Sequence, residues 1–373
     1  MRPASEAEKA RLAELFVDLC RIPSPFGHER ECADRVIAEL RRMGVEAEED
    51  ETGNLLARIP SRPPAPHQTR SERSILLCAH LDTVETEAPI EPVLVDGGWE
   101  NAHDGILGAD NKAAVAVMLE TARRASVEDS PVGIELLFTV SEEDALTGAK
   151  AFDVSRLRSE FGYVFDHATP IGEVVVASPT YFRLEASFLG KAAHAGIRPE
   201  DGRSAVLAAA LAIAAMPLGR IDEQTTANVG SVHGGVGSTN VVPERCRVLA
   251  EARSLDAARV EEVVAGIVDA LHDGAAQAEC DVDVVSEKLF TGFKVRPSAP
   301  ELAAAEAALR ACGYEPRRIQ TGGGSDANAL QAAGFPCLNL ANGTERNHES
   351  TERVSVAALE GMLDVSLALL EEA

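Results

Sequence analysis

Three short, mostly apolar runs constrain this chain more than any other feature. They are Ser74 to Ala79, Ile134 to Val140 and Gly162 to Phe165, each bounded by polar or turn residues, with Lys112 to Arg124 and Val154 to Ser159 reading as helix between them. Runs this short and this apolar are the pattern of strands buried on both faces. Strands that alternate with helices predict a twisted, mostly parallel α/β sheet with helices on both faces.

The same alternation predicts where the sheet is interrupted. Ala4 to Leu19 and Glu29 to Met43 read as helices, the second stopping at Gly44, a suitable left-handed cap. The stretch IPSRPPAPHQTRSERS, which holds His67, predicts an exposed loop. After Pro179 the pattern changes to the half-exposed alternation of Tyr181 to Phe188, then a helix over Ser204 to Met216, strands near Ala227 to Val232 and Cys246 to Arg253, and a helix over Ala257 to Asp273. This predicts an α+β insert of strand, helix, strand, strand, helix, strand over about residues 179–291, with residues 1–178 and 292–373 forming one domain around it. A chain of 373 residues is long enough for two such cores.

Charge and cysteine content narrow the partners. Sixty Asp and Glu against 35 Lys and Arg give a net charge of -25, which repels phosphate backbones and anionic lipid, so neither nucleic acid nor membrane is expected as a partner. Most of that excess reads as a solvated surface. Seven scattered cysteines without a Cys-x-x-Cys pair read as reduced thiols, and the N-terminal residues lack an apolar leader. The expected address is the cytoplasm.

Acids and histidines sit where the runs end. In Ala79-His80-Leu81-Asp82, the two polar side chains leave the same face of an extended segment, a spacing that suits a metal-binding imidazole and a carboxylate that orients it, or simply a surface pair. Glu142 and Glu143 follow the second run and Asp166 follows the third. Ends of parallel strands gather around the ligand crevice of an open sheet, so these acids should converge. Asp110, after Gly105-Ile106-Leu107-Gly108 and before a helix, is either an N-cap or a carboxylate bridging two metals. His348 lies on a polar loop beyond the apolar run Pro336 to Leu340. Together His80, His348, Asp110, Glu143 and Asp166 form a nitrogen and carboxylate set that suits two zinc ions sharing one carboxylate. Gly322-Gly323-Gly324-Ser325 before a helix suggests an anion cradle, but no Gly-Lys-Ser/Thr follows.

The segments AHLDTV, GILGADNKAAVA, FTVSEED, YVFD, GKAAHAGIRPEDGRSA, TNVVPE, EARSLD, TGGGSDANAL and NGTERNHES carry a resemblance over nearly the whole chain. It resembles the peptidase T-like branch of the di-zinc peptidases, a group that also includes carboxypeptidase G, aminoacylase and succinyl-diaminopimelate desuccinylase. The resemblance implies that His80, Asp110, Glu143, Asp166 and His348 bind two Zn2+ ions (Co2+ or Mn2+ being alternatives), that Asp110 bridges them, that Asp82 orients His80 and that Glu142 is the general base. It further implies that the insert is a lid and dimerisation domain, the chain a homodimer through it. His194, Asn240 and Arg253 would contact substrate, His194 helping to polarise the scissile carbonyl, and Ser325 would line the cleft near a substrate carboxylate.

The expected activity is hydrolysis of an amide bond in short peptides, by a tripeptidase-like aminopeptidase. A carboxypeptidase or N-acyl amino acid deacylase with the same site is the nearest alternative. A metal-stabilised binding protein without activity is a more distant one, and a nucleotide-binding protein using the Gly322 to Gly324 loop more distant still.

Overall fold

The computed structural model describes residues 2–61, 73–128 and 130–373. Most of the predicted Pro-, Ser- and Arg-rich loop, with His67, lies outside them. The chain divides into two compact units, Met1–Ala177 with Lys294–Ala373, and Ser178–Phe293.

The first unit is built on the mixed sheet. Its strands run in the order Ala47–Glu49, Leu55–Ile59, Gly133–Thr139, Ser74–His80, Gly162–His167, Cys337–Ala341, Glu173–Ser178. Ser74–His80 is parallel to both Gly133–Thr139 and Gly162–His167, which in turn is parallel to Cys337–Ala341. The first two pairs in that order are antiparallel. All of Gly133–Thr139 is buried, as are Ile75 to His80, because helices cover both faces. The helix Ala109–Val127 is itself almost wholly buried, and its Ala-rich sequence lets it lie close to the strands. The first helix, Glu6–Cys20, starts at a capping box: the Ser5 hydroxyl accepts the Glu8 N–H, and the Glu8 carboxylate accepts the Ser5 N–H at 2.7 Å.

Two features of this unit depart from the sequence reading. Val154 to Ser159 is not a helix but a single 3-10 turn, Val154–Arg156, because the buried Glu135 carboxylate takes the Arg158 and Ser159 N–H groups at 2.8 and 2.7 Å and holds the chain open. A second, four-stranded antiparallel sheet was also not foreseen: Thr344–Glu345, Arg353–Ser355, Gly98–Asn101 and Pro92–Val95. Its hairpin turns on Asp96-Gly97, both with positive φ (47° and 75°), which is the Asp-Gly signal of a two-residue turn.

The second unit is a five-stranded antiparallel sheet in the order Gly219–Asp222, Thr225–Gly234, Arg245–Ser254, Thr180–Leu189, Asp281–Phe290. Gly219–Asp222 is one strand more than the sequence reading expected. Burial alternates along Arg245–Ser254, and the inward residues Val248, Ala250 and Ala252 pack with Val260, Val263 and Ile267 of the helix Ala257–Gln277. That helix crosses Ala205–Ala215 at Gly274, where a Cβ would lie 2.6 Å from the Ala212 nitrogen. Among the described residues no helix is long and apolar enough to cross a membrane.

Candidate metal centre

The parallel strands deliver their acids to one place. His80 is the last residue of Ser74–His80, Glu142 and Glu143 follow Gly133–Thr139, and Asp166 is in the last turn of the pleat of Gly162–His167. These ends lie side by side because the strands are neighbours and parallel. One donor atom each from His80, Glu142 and Asp166 lie within 4.8 Å of one another, and so do donors from His80, Asp110 and Glu143.

Asp110 is held between two imidazoles. Its Oδ1 is 3.4 Å from His80 Nε2 and its Oδ2 is 3.3 Å from His348 Nε2. The chain reaches this position by a left-handed Gly108 (φ 75°) and leaves it through non-helical angles at Asp110 and Asn111. The carboxylate thus faces the cluster, not the helix N–H groups that an N-cap would satisfy. His348 also lies 2.8 Å from Glu143. The strands flanking His348 pair with each other, Thr344 with Val354 and Glu345 with Arg353, so its loop is closed at the base.

Asp82 does more than orient His80. Its carboxylate is 3.4 Å from His80 Nδ1, while the nearer partner of that nitrogen, at 3.0 Å, is the Asp82 carbonyl oxygen. The carboxylate accepts the Glu142 N–H at 3.0 Å on one oxygen and the Glu143 N–H at 2.9 Å on the other. It therefore fixes both glutamates through their backbone.

Two buried residues that the sequence reading passed over complete the frame. Glu29 accepts the N–H and hydroxyl of Ser141, each at 3.0 Å, and so holds the left-handed turn (φ 51°) before Glu142. Asn339 solves a different problem. Leu340 pairs with Phe165 and Ala341 with His167, so Asp166 is the bulged residue between them. The Asn339 amide accepts the Asp166 N–H at 3.0 Å and donates to its carbonyl at 3.1 Å, meeting both backbone groups that the bulge leaves out of the ladder. An Asn inside the apolar run Pro336 to Leu340 was the available signal.

The electrostatics of the cluster call for cations. Burial, with the Asp166 charge next, pushes the Glu142 carboxyl well above its ordinary range, and burial likewise pushes Asp166 up to about 8. Burial would lower His80, but Asp110, Asp166 and Asp82 together carry it well above the ordinary value. Hydrogen bonds to Asp110 and Glu143 take His348 up to about 10. Groups that must otherwise keep protons are those from which metal binding releases them. The donor atoms also fit: His80 Nε2 and Asp110 Oδ1 are buried without a hydrogen-bond partner, and imidazole with carboxylate is the ligand chemistry of zinc-type dinuclear sites.

The other predicted residues have partners within their own units. Ser325 is buried at the start of the helix Asp326–Ala332, its N–H bonded to Asn328 Oδ1 at 3.2 Å. The neighbouring Asp326 is fully buried and accepts the Thr139 hydroxyl. In the second unit His194 and Asn240 are exposed and adjacent, the Ala195 N–H donating to the Asn240 carbonyl at 2.9 Å. Arg253 lies over the Tyr181 ring at 4.0 Å and pairs with Glu251 at 3.1 Å.

The chain is similar to known proteins over nearly its whole length. Residues 179–279 match the Peptidase dimerisation domain family and residues 54–169 match Peptidase family M28. The uncharacterized protein YqjE of Bacillus subtilis is 37% identical, over 97% of this chain and 98% of its own length. The crystal structure of the aminopeptidase PepT of Bacillus cereus is similar at 36% identity and a TM-score of 0.85, covering 98% of both chains. That of a Staphylococcus aureus tripeptidase is similar at 32% identity and a TM-score of 0.89, covering 97% of this chain and 98% of that one. The M28 match takes in part of the first unit alone, whereas the full-length relatives span both units, and the chain therefore belongs to the peptidase T-like branch of the M20 metallopeptidases.

Proposed function

We propose that this chain is a dinuclear zinc aminopeptidase that removes residues from short peptides, in the manner of a tripeptidase. The observation that carries the reading is the cluster in which His80, Glu142, Glu143 and Asp166, from the ends of adjacent parallel strands, meet Asp110 from the start of a helix and His348 from a loop. Full-length likeness to an aminopeptidase and a tripeptidase supplies the substrate class.

In this reading His80, Asp110, Glu143, Asp166 and His348 hold two ions. Asp110 serves both, a role supported by its two oxygens facing different imidazoles. When bound, two zinc ions supply Lewis-acid polarisation of an amide carbonyl and acidify a water molecule. Glu142 takes the proton from the attacking water and hands it to the departing amine, a role suited to a carboxyl whose affinity for protons is raised. Asp82 keeps Glu142 in place through the backbone. His194, Asn240, Arg253 and Ser325 are assigned to the substrate, His194 to the carbonyl and the others to its polar ends.

Residues 1–178 with 292–373 form the catalytic domain and 179–291 the lid, a division supported by the two compact units. The dimerisation-domain match supports a homodimer through that insert. Seven unpaired cysteines suit the reducing cytoplasm.

The test is metal analysis of the purified protein followed by turnover of a tripeptide panel alongside N-acyl amino acids. Two zinc ions per chain and release of the N-terminal residue from tripeptides are expected. Turnover confined to N-acyl amino acids would reassign the substrate, and metal binding without any turnover would reassign the chain as a binding protein.

A further inference from the structure

We infer that Glu352 is the positioning residue that sets Asp110 between the two imidazoles and ties the Asp110 segment to the His348 loop; the inference rests on the metal-site reading above. Glu352 is only 2% exposed. Its Oε2 accepts the N–H groups of Leu107 and Gly108, both at 2.8 Å, and its Oε1 accepts the Asp110 N–H at 2.9 Å. Among the described residues it forms no ion pair; its two oxygens are taken up by three backbone donors of one short segment.

Those three donors define the path of the chain through Gly108 to Asp110. The angles there are left-handed at Gly108 and non-helical at Asp110 and Asn111, and because these N–H groups lie before or in the first turn of Ala109–Val127 the helix has no carbonyl to offer them. With both carboxylate oxygens engaged, the peptide plane before Asp110 is fixed, and with it the direction in which the Asp110 side chain leaves.

The backbone of Glu352 acts on the other imidazole. Its N–H donates to the Glu349 carbonyl at 3.1 Å, and the next residue, Arg353, opens the strand that pairs with Thr344–Glu345 to close the His348 loop. One residue therefore sits by its backbone at the base of the His348 loop and holds the Asp110 segment by its side chain. Those two loops bring His348 Nε2 to 3.3 Å from Asp110 Oδ2. Glu352 does not touch the donor atoms of the cluster; it acts through Asp110.

Glu352→Gln keeps the volume but leaves one acceptor oxygen where the segment presents three donors to two oxygens. Zinc affinity, measured by competition with a chromophoric chelator on the full chain, should fall about 10- to 100-fold. kcat on a tripeptide should fall while KM changes little, because substrate contacts are untouched. Glu352→Asp is a second route to the same loss: it keeps the charge, cannot reach all three donors, and should show the same direction of shift even if the Gln variant does not fold. The comparison variant is Glu135→Gln, which weakens an equally buried carboxylate that holds the Arg158 and Ser159 N–H groups at the opposite end of its strand from Glu142. It should lower the melting temperature and leave zinc affinity as it was. Wild-type zinc affinity and kcat in the Glu352 variants would overturn the inference, as would an equal loss of affinity in Glu135→Gln. A wild-type protein that binds no zinc would instead remove the metal-site reading on which the inference stands.

Discussion

The first unit buries Glu8, Glu39, His80, Asp82, Asp110, Lys112, Glu120, Asp326, Glu352 and other charged side chains, whereas the second buries none among the described residues; its buried polar groups are Ser178, Thr180, Thr225 and Ser254. The difference follows from the sheets. A sheet covered on both faces gives a polar side chain no solvent to turn to, so any that is present must be matched inside the protein. A sheet covered on one face sends its polar residues outward by alternation, as along Arg245–Ser254, and the few hydroxyls it buries find close partners, Thr225 and Ser254 each other at 2.8 Å and Thr180 the Gly292 N–H at 2.9 Å.

The buried charges of the first unit are themselves of two sorts. Some are matched by cations, such as Glu8 by Arg124 at 2.6 Å and Glu120 by Arg11 at 2.5 Å. Others, Asp82 and Glu352, are matched by backbone N–H groups of the loops that carry Asp110, Glu142 and Glu143. The first sort maintains the fold, and the second fixes the segments that carry the cluster.

That contrast can be broken at three places. The largest effect should come from Asp110→Ala. A carboxylate serving both ions is lost, so zinc content by elemental analysis should fall at both positions and peptide turnover with it; full occupancy would reduce Asp110 to a loop residue. Next is Arg124→Ala, which leaves buried Glu8 with only the half-exposed Arg2, at 3.5 Å, as a cation and should cost about 3 kcal/mol in denaturant unfolding. Burial raises the Glu8 carboxyl, but hydrogen bonds from Arg124 and Ser5 outweigh it and bring it down to about 2. A depressed folded value means that the stabilisation is complete above the unfolded carboxyl pKa, about 4.5, and is lost as pH falls toward 2. Stability of the wild type should therefore drop across that window, and the drop should shrink in Arg124→Ala. The smallest effect belongs to the second unit. Arg247 and Glu185 form a bidentate pair at 2.6 Å in the open, and Arg247→Ala should leave the melting temperature where it was.

Much of the catalytic sheet was legible because its pattern is carried by short stretches of chain. Apolar runs ending in His80, Glu142, Glu143 and Asp166 announce buried parallel strands, and their convergence follows from strand order alone. What escaped is what depends on pairing across long separations. Glu352 sits in His-Glu-Ser-Thr-Glu-Arg, which looks like solvated loop, and nothing local says that it reaches Leu107 to Asp110. The pairing of Asp82 with His80 could be read from their spacing, but not that the Asp82 carboxylate also takes the Glu142 and Glu143 N–H groups. Val154 to Ser159 failed as a helix because Glu135, far back in the chain, claims its N–H groups. The Asp96-Gly97 hairpin, by contrast, was announced locally and overlooked.

The central claim is that the histidine and carboxylate cluster of the first unit holds metal while Glu142 moves the proton. Glu142→Gln separates the two most directly, read as zinc per chain and tripeptide kcat/KM on the same preparation. The account predicts two zinc ions retained and kcat/KM reduced by about 10²- to 10⁴-fold. Undiminished turnover, or loss of zinc in step with activity, would contradict it.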